Sequence, residues 1–269
     1  MALLNCMRNN ISGGLKSGEC FNNSFSTKIK YIIKIPIKKL GLFTVSLPLF
    51  AFVTCVFVTL FKDFDIANNT HCNVPNIFPS ISASIGSYEP QRTIWRIAIY
   101  GHAPLRFFII YLRWDYYRKI ISQNCIFVVK LAVFLNIIEN MSLIGLTHWN
   151  SSDYYPFHEA CFKTFIGTSI FYMLFTCMML TKYRRRETQT GLEIYSMKLK
   201  WRAFFVNVAS FAFAAYFFLR HNRLFYSMFG FSEYIVVISN IMFHMTTVYD
   251  LRSQYIYFTR KGFYKNIVK

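Results

Sequence analysis

Apolar positions along this chain do not recur at the spacing of a soluble amphipathic helix. They gather into six near-continuous blocks, at residues 40–61, 94–112, 125–147, 161–181, 201–219 and 229–249. Each is close to the ~20 residues that a helix needs to cross a hydrocarbon core. The first block is free of charge over 22 residues. Its Pro48 is a residue that membrane helices accommodate. The pattern predicts an all-α, polytopic membrane bundle of six transmembrane helices. It divides the chain into a basic tail at 1–39, a transmembrane domain at 40–250 and a second basic tail at 251–269. The longest connection, 62–93, contains three prolines but also Ile77, Phe78, Ile81 and Ile85, so it is expected to fold over one mouth of the bundle.

Charge sets the orientation. The chain carries 30 Lys and Arg against 12 Asp and Glu, a net charge of +18. Twenty-one of those cations fall in 1–39, 113–124, 182–200 and 251–269, whereas Lys62, Arg92, Arg220 and Arg223 are the four in the alternate connections. The positive-inside bias therefore puts both termini in the cytosol and the 62–93 loop in the lumen. Two glycosylation sequons, starting at Asn68 and Asn150, fall on the same lumenal side. No basic run is interleaved with aromatics in a soluble segment, so nucleic acid is not an expected partner. Aromatic residues, 19% of the chain, instead suit lipid-facing helices and interfacial belts.

Seven cysteines include no CxxC pair, and no HxxxH or HExxH spacing puts two histidines on one helix turn, so no metal site is expected. The informative residues are ionisable groups at membrane depth, which insertion scales place at ~3 kcal/mol each. The second block carries Arg96, His102 and Arg106, and the last two share a helical face. The third carries Lys130, Asn136, Glu139 and Asn140. The fifth ends in Arg220-His221-Asn222. The sixth carries Glu233, Asn240 and His244, at spacings of seven and four. Counted from the block ends, Arg96, Glu139, Asn140, Arg220, His221 and Glu233 are expected to form one lumenal cluster. His102 is placed near mid-depth, with Arg106 and His244 further toward the cytosol. Ion pairs such as Arg96–Glu139 or Arg220–Glu233 are the structural alternative to a site. Arginine suits phosphate through its planar fork, and a histidine beside a carboxylate can act as an oriented base.

The stretch from Thr70-His71-Cys72-Asn73-Val74-Pro75-Asn76 through Pro90-Gln91-Arg92 and Trp95-Arg96 resembles the post-GPI-attachment-to-proteins factor 2 family. So do His102 with Arg106, Glu139-Asn140, Arg220-His221-Asn222, Glu233-Tyr234 and Phe243-His244-Met245-Thr246. The likeness spans about residues 40–250, and the chain is also similar to the wider DRAM-like group of six-span proteins. Two features depart from the family pattern: the long basic extension at 1–39, and Leu105 between Pro104 and Arg106.

The resemblance implies a multi-pass protein of the Golgi membrane, or also of the endoplasmic reticulum, that works on the lipid of GPI-anchored proteins. The implied step gives lyso-GPI a saturated acyl chain from a donor not readable here, with no bound cofactor. In an acyltransferase of that kind, His221 or His102 would take the proton from the lipid hydroxyl. Glu139 or Glu233 would orient the histidine. Arg92, Arg96 and Arg220 would hold the inositol phosphate, with Arg106, Asn222 and His244 completing the substrate set. Two other classes remain open: a non-catalytic partner that presents lyso-GPI to an enzyme of the pathway, and a lipid transporter or scramblase.

Overall fold

The computed structural model describes residues 33–68, 77–86, 88–185, 189–219, 223–259 and 262–267. Strand β1 (Ile33–Pro36) leads into helix α1 (Ile37–Lys62), which ends before a short helix α2 (Phe64–Ala67). A second short helix, α3 (Ile81–Gly86), precedes α4 (Gln91–Ile120). Long helices α5 (Ile126–His148), α6 (Tyr155–Lys182), α7 (Gly191–Phe218) and α8 (Arg223–Met245) follow, then the single turn α9 (Thr247–Asp250). Strands β2 (Gln254–Thr259) and β3 (Gly262–Ile267) close the chain.

Every apolar block lies, to within one residue at either end, inside a long helix or, for the last, inside α8 and α9. Among the described residues, five segments are long and apolar enough to cross a membrane: Ile37–Lys62, Gln123–His148, Tyr155–Lys182, Gly191–Phe218 and Ser227–Asp250. Helix α4 is not among them. It runs for 30 residues, about 45 Å at 1.5 Å per residue, but its run of arginines, His102 and tyrosines dilutes its hydropathy.

The long helices pack as a ring in chain order. α1 meets α4, α4 meets α5, α5 meets α6, α6 meets α7 and α7 meets α8, while α8 returns to α1. Short connections make neighbours antiparallel. Gly145 lets α5 approach α6, since a Cβ there would sit 2.6 Å from Cys161 Sγ. Polarity is inverted relative to a soluble bundle. Thr44, His102, Arg106, Asn136, Glu139, Asn140, Ser169 and Lys200 are buried, whereas Phe50, Phe127, Phe134, Phe171 and Phe205 face outward. Lipid is the solvent that makes this arrangement favourable, because exposed phenyl rings carry no penalty there and polar groups must find partners inside. The chain is a multi-pass membrane protein.

The helical bundle carries one small β element. β1, β2 and β3 form a small antiparallel sheet that joins the end of one tail to the other, with Ile33 opposite Phe258 and Pro36 opposite Tyr255. Beneath it Ile37, Leu112, Tyr117, Ile121, Leu251 and Ile256 form an apolar core. Lys34 lies 4.2 Å from the centre of the Tyr255 ring, a cation–π contact that ties the two strands further.

At the opposite end, residues 77–86 strap across the ring. Ile77 N donates to Ser227 Oγ (3.0 Å), Tyr234 OH to the Pro79 carbonyl (2.7 Å), and Ile81 N to Glu233 Oε2 (3.1 Å). Thr59 Oγ1 and Asn150 Nδ2 hold the far side through the Ser84 and Gly86 carbonyls. Gly230 completes the dock, because a Cβ at that position would collide with the Phe78 carbonyl. The expected cap over one mouth is therefore present in its described part.

Candidate functional site

Three ring helices converge on one buried carboxylate. Glu139, at 0% exposure on α5, has Arg106 Nη2 of α4 at 2.7 Å from Oε2. The approach is an ion pair rather than a well-aimed hydrogen bond. From α8, Asn240 Nδ2 donates to Glu139 Oε1 at 2.9 Å, and His244 Nε2 lies 3.1 Å from the same oxygen. Asn240 also reaches Ser169 Oγ of α6 at 2.6 Å, and Arg106 Nη2 reaches Asn136 Oδ1 at 3.3 Å. Arg106 Nη2 is 2.8 Å from His244 Nε2 as well. Asn136 and Glu139 share one face of α5, and Asn240 and His244 one face of α8, so helical periodicity alone delivers these groups to the ring centre.

Around this centre lies a supporting layer. The Tyr172 ring stacks on His244 with centroids 5.5 Å apart and planes 9° apart. Arg113, two turns beyond Arg106, contacts the Tyr172 and Thr247 hydroxyls and the His244 carbonyl. His102 Nδ1 meets the Thr44 carbonyl at 2.7 Å. A carbonyl can only accept, so Nδ1 carries the proton, and Nε2 is a buried lone pair without a hydrogen-bond partner among the described residues. Asn140 Nδ2 donates to the Ala103 carbonyl, leaving its Oδ1 unpartnered in the same region.

The expected single lumenal cluster is divided between two levels. Arg106 is ten residues from Arg96 on one helix, about 15 Å along its axis, and His244 is eleven from Glu233, about 16 Å. Glu139 belongs to the deeper level. Its partner is Arg106, so the Arg96–Glu139 pair does not form. Arg96 instead caps the His148 carbonyl at 3.4 Å, and Arg92 pairs with Asp153 at 2.7 Å, both at the strap end of the ring. Glu233 is spent on the strap through Ile81. Arg220, His221 and Asn222, and with them the Arg220–Glu233 pair, lie outside the described residues.

Of the sequon residues, Asn150 is buried. Its Nδ2 donates to Gly86 O and Asp153 Oδ2, each at 3.0 Å, and its Oδ1 accepts from Asp153 N. Glycosylation there would require that turn to open. Asn68 is also buried, beside residues outside the described set.

Sequence reasoning missed Tyr172, Arg113 and a second buried pair. Lys200 Nζ lies 2.7 Å from Asp250 Oδ2, and both contact Ser196. The signal for Lys200 was present. Thr190 and Glu193 form a capping box that starts α7 ten residues before its apolar block, so Lys200 sits inside a helix rather than in a connection. Arg113 could be found from its seven-residue spacing to Arg106, which puts both on one face.

No solved structure matches this chain. Among curated proteins, it is 39% identical over 230 residues to post-GPI attachment to proteins factor 2 of Drosophila melanogaster, covering 84% of this chain and 90% of the relative. It is 36% identical to the protein of that name from Caenorhabditis elegans, covering 85% and 90%. To acyltransferase PGAP2 of Xenopus tropicalis it is 37% identical, covering 77% and 84%. The profile of the Frag1/DRAM/Sfk1/Cwh43P N-terminal domain matches residues 37–254, the whole ring up to the first residue of β2. On both grounds the chain belongs to the Frag1/DRAM/Sfk1/Cwh43P N-terminal domain family and, within it, to the post-GPI attachment to proteins factor 2 group.

Proposed function

We propose that this protein acts in GPI-anchor lipid remodelling, transferring a saturated acyl chain to lyso-GPI within the Golgi or endoplasmic-reticulum membrane. The observation that carries the reading is the Arg106–Glu139–His244 network at the ring centre, with the free His102 Nε2 one helical turn from Arg106. The names of the relatives support it, two of them being called acyltransferases.

In this reading the free glycerol hydroxyl of lyso-GPI donates its proton to His102 Nε2 as its oxygen attacks the carbonyl carbon of an activated acyl ester. The proton then passes to the departing group. Arg106 stabilises negative charge on the carbonyl oxygen, a role for which a fixed cation in a water-poor site is well suited. Glu139, Asn136 and His244 hold the guanidinium in place. Arg92 and Arg96, at the strap end, would meet the phosphate of the inositol head group. His221, Arg220 and Asn222 remain in the proposal as candidates at that same end.

The topology proposed is six spans with both termini in the cytosol. The β1–β2 pairing supports an even number of crossings, since it brings the start of α1 and the chain after α9 to one face. Five spans would place them on opposite faces, and taking α4 as the sixth gives the even number. The mid-helix charges of α4, Arg106 and Arg113, are buried inside the ring rather than turned to lipid. The domain division at 1–39, 40–250 and 251–269 stands with that topology, the sheet bridging its two tails.

Deletion of the protein in its own cells, with mass spectrometry of GPI lipids, tests the reading. Lyso-GPI should accumulate and GPI-anchored proteins should be shed. Wild type should rescue, while His102→Ala should not at equal abundance. Unchanged anchor lipids after deletion would reject the assignment. Rescue by His102→Ala, His221→Ala and His244→Ala alike would leave a presenting role without a histidine base.

A further inference from the structure

The outer surface of the ring carries a groove of about 520 Å³ between α4 and α5. Its walls are Phe107, Ile110, Val133, Phe134 and Ile137, an apolar trough open to lipid. At its sheet end the lining changes to Tyr111, Trp114 and Lys130. Lys130 differs from the buried or paired lysines of this chain. Lys119, Lys163 and Lys200 each meet a carboxylate within 2.9 Å, whereas Lys130 is exposed and has no hydrogen bond or ion pair among the described residues.

We propose that this groove binds an anionic phospholipid from the leaflet at the sheet end, with an acyl chain along the trough and the phosphodiester on Lys130. The chemistry selects the occupant. A single ammonium at the end of an apolar trough matches an anionic head attached to a hydrocarbon chain. Lys130 lies one turn into α5, where its stem can reach the interface. Trp114 and Tyr111 flank it as amphipathic rings that favour the head-group level. The arrangement recurs between α7 and α8, where a groove of about 260 Å³ is apolar except for Arg202 and a few hydroxyls, and Arg202 again lies at the sheet end. The α4–α5 groove also backs onto the site, because Phe107 and Ile137 adjoin Arg106 and Asn136 in sequence. A bound chain would brace the two helices that hold the buried ion pair.

The test is lipid retention, which does not depend on transfer activity. Purified full-length protein would be exchanged into nanodiscs mixing phosphatidylserine with phosphatidylcholine of identical acyl chains, then released for native mass spectrometry. Wild type should retain phosphatidylserine about fivefold over phosphatidylcholine, the preference that one lysine contributes at an anionic surface. Lys130→Gln should clearly reduce the preference, and Lys130→Arg should keep it. Val133→Trp, which fills the trough, should reduce retention of both lipids. Lys182→Gln, an exposed cation at the same end, should leave the preference intact. No preference in the wild type, an unchanged preference in Lys130→Gln, or an equal loss in Lys182→Gln would overturn the proposal. Undiminished retention in Val133→Trp would overturn the placement of the chain in this groove.

Discussion

Arg106 and Glu139 face each other at 2.7 Å in the centre of the helical ring, the carboxylate wholly buried and the guanidinium nearly so. Neither could stand there alone. An unpaired charge at this depth is expensive, and each is the reason the other is tolerated.

Glu139→Gln should therefore destabilise the fold by about 3–5 kcal/mol, because Arg106 is left buried without its counter-charge. The double variant Arg106→Gln with Glu139→Gln should recover most of that loss while remaining inactive in GPI remodelling. Thermal unfolding in detergent, paired with GPI lipid analysis, reads both. A double variant no more stable than the single would show that charge compensation is not what the pair supplies.

Tyr172 contributes a ring and a hydroxyl, and the two can be separated. Tyr172→Phe keeps the stack on His244 but removes the hydroxyl that meets Arg113, and should lower stability by about 1.5–3 kcal/mol. Tyr172→Ala also empties a buried site and should lower it by about 3–5 kcal/mol. Remodelling should persist in part with Phe and vanish with Ala.

Lys200 and Asp250 are predicted to be structural. Asp250→Asn strands the buried ammonium and should cost about 3–5 kcal/mol. Lys200→Met with Asp250→Asn should return close to wild-type stability and retain lyso-GPI reacylation. Loss of activity in a stable double variant would move this pair into the working machinery.

Gly230→Ala changes no polar group, yet a Cβ there meets the Phe78 carbonyl. The strap should lift and the Ile81–Glu233 bond should open. Hydrogen exchange over 77–86 should rise severalfold, with the ring centre unchanged.

Epitope tags placed at residue 1 and after residue 269 should become accessible together, and only after the plasma membrane and not the organelle membrane is permeabilised. Tags read on opposite sides would exclude six crossings.

The sequence by itself determined the helices, the membrane and one strap. Runs of about twenty apolar residues have few other structures in water or lipid, and the spacings His102–Arg106 and Asn240–His244 show which faces point inward whatever the neighbours are. The basic bias of the connections determined the proposed orientation for the same local reason. Partnership was a different matter. Which arginine meets Glu139 depends on how far α4 and α5 slide past each other, and on α8 packing beside both. That register is set by contacts such as Asn140 Nδ2 on the Ala103 carbonyl and by the strap, all remote in sequence. The tertiary structure alone joined the two tails in a sheet, moved Glu139 about 15 Å from Arg96's level to that of Arg106 and His244, and buried Lys200 against Asp250. Apolar periodicity fixes the face on which a side chain sits. Only the packed ring decides which opposite charge is close enough to hold it.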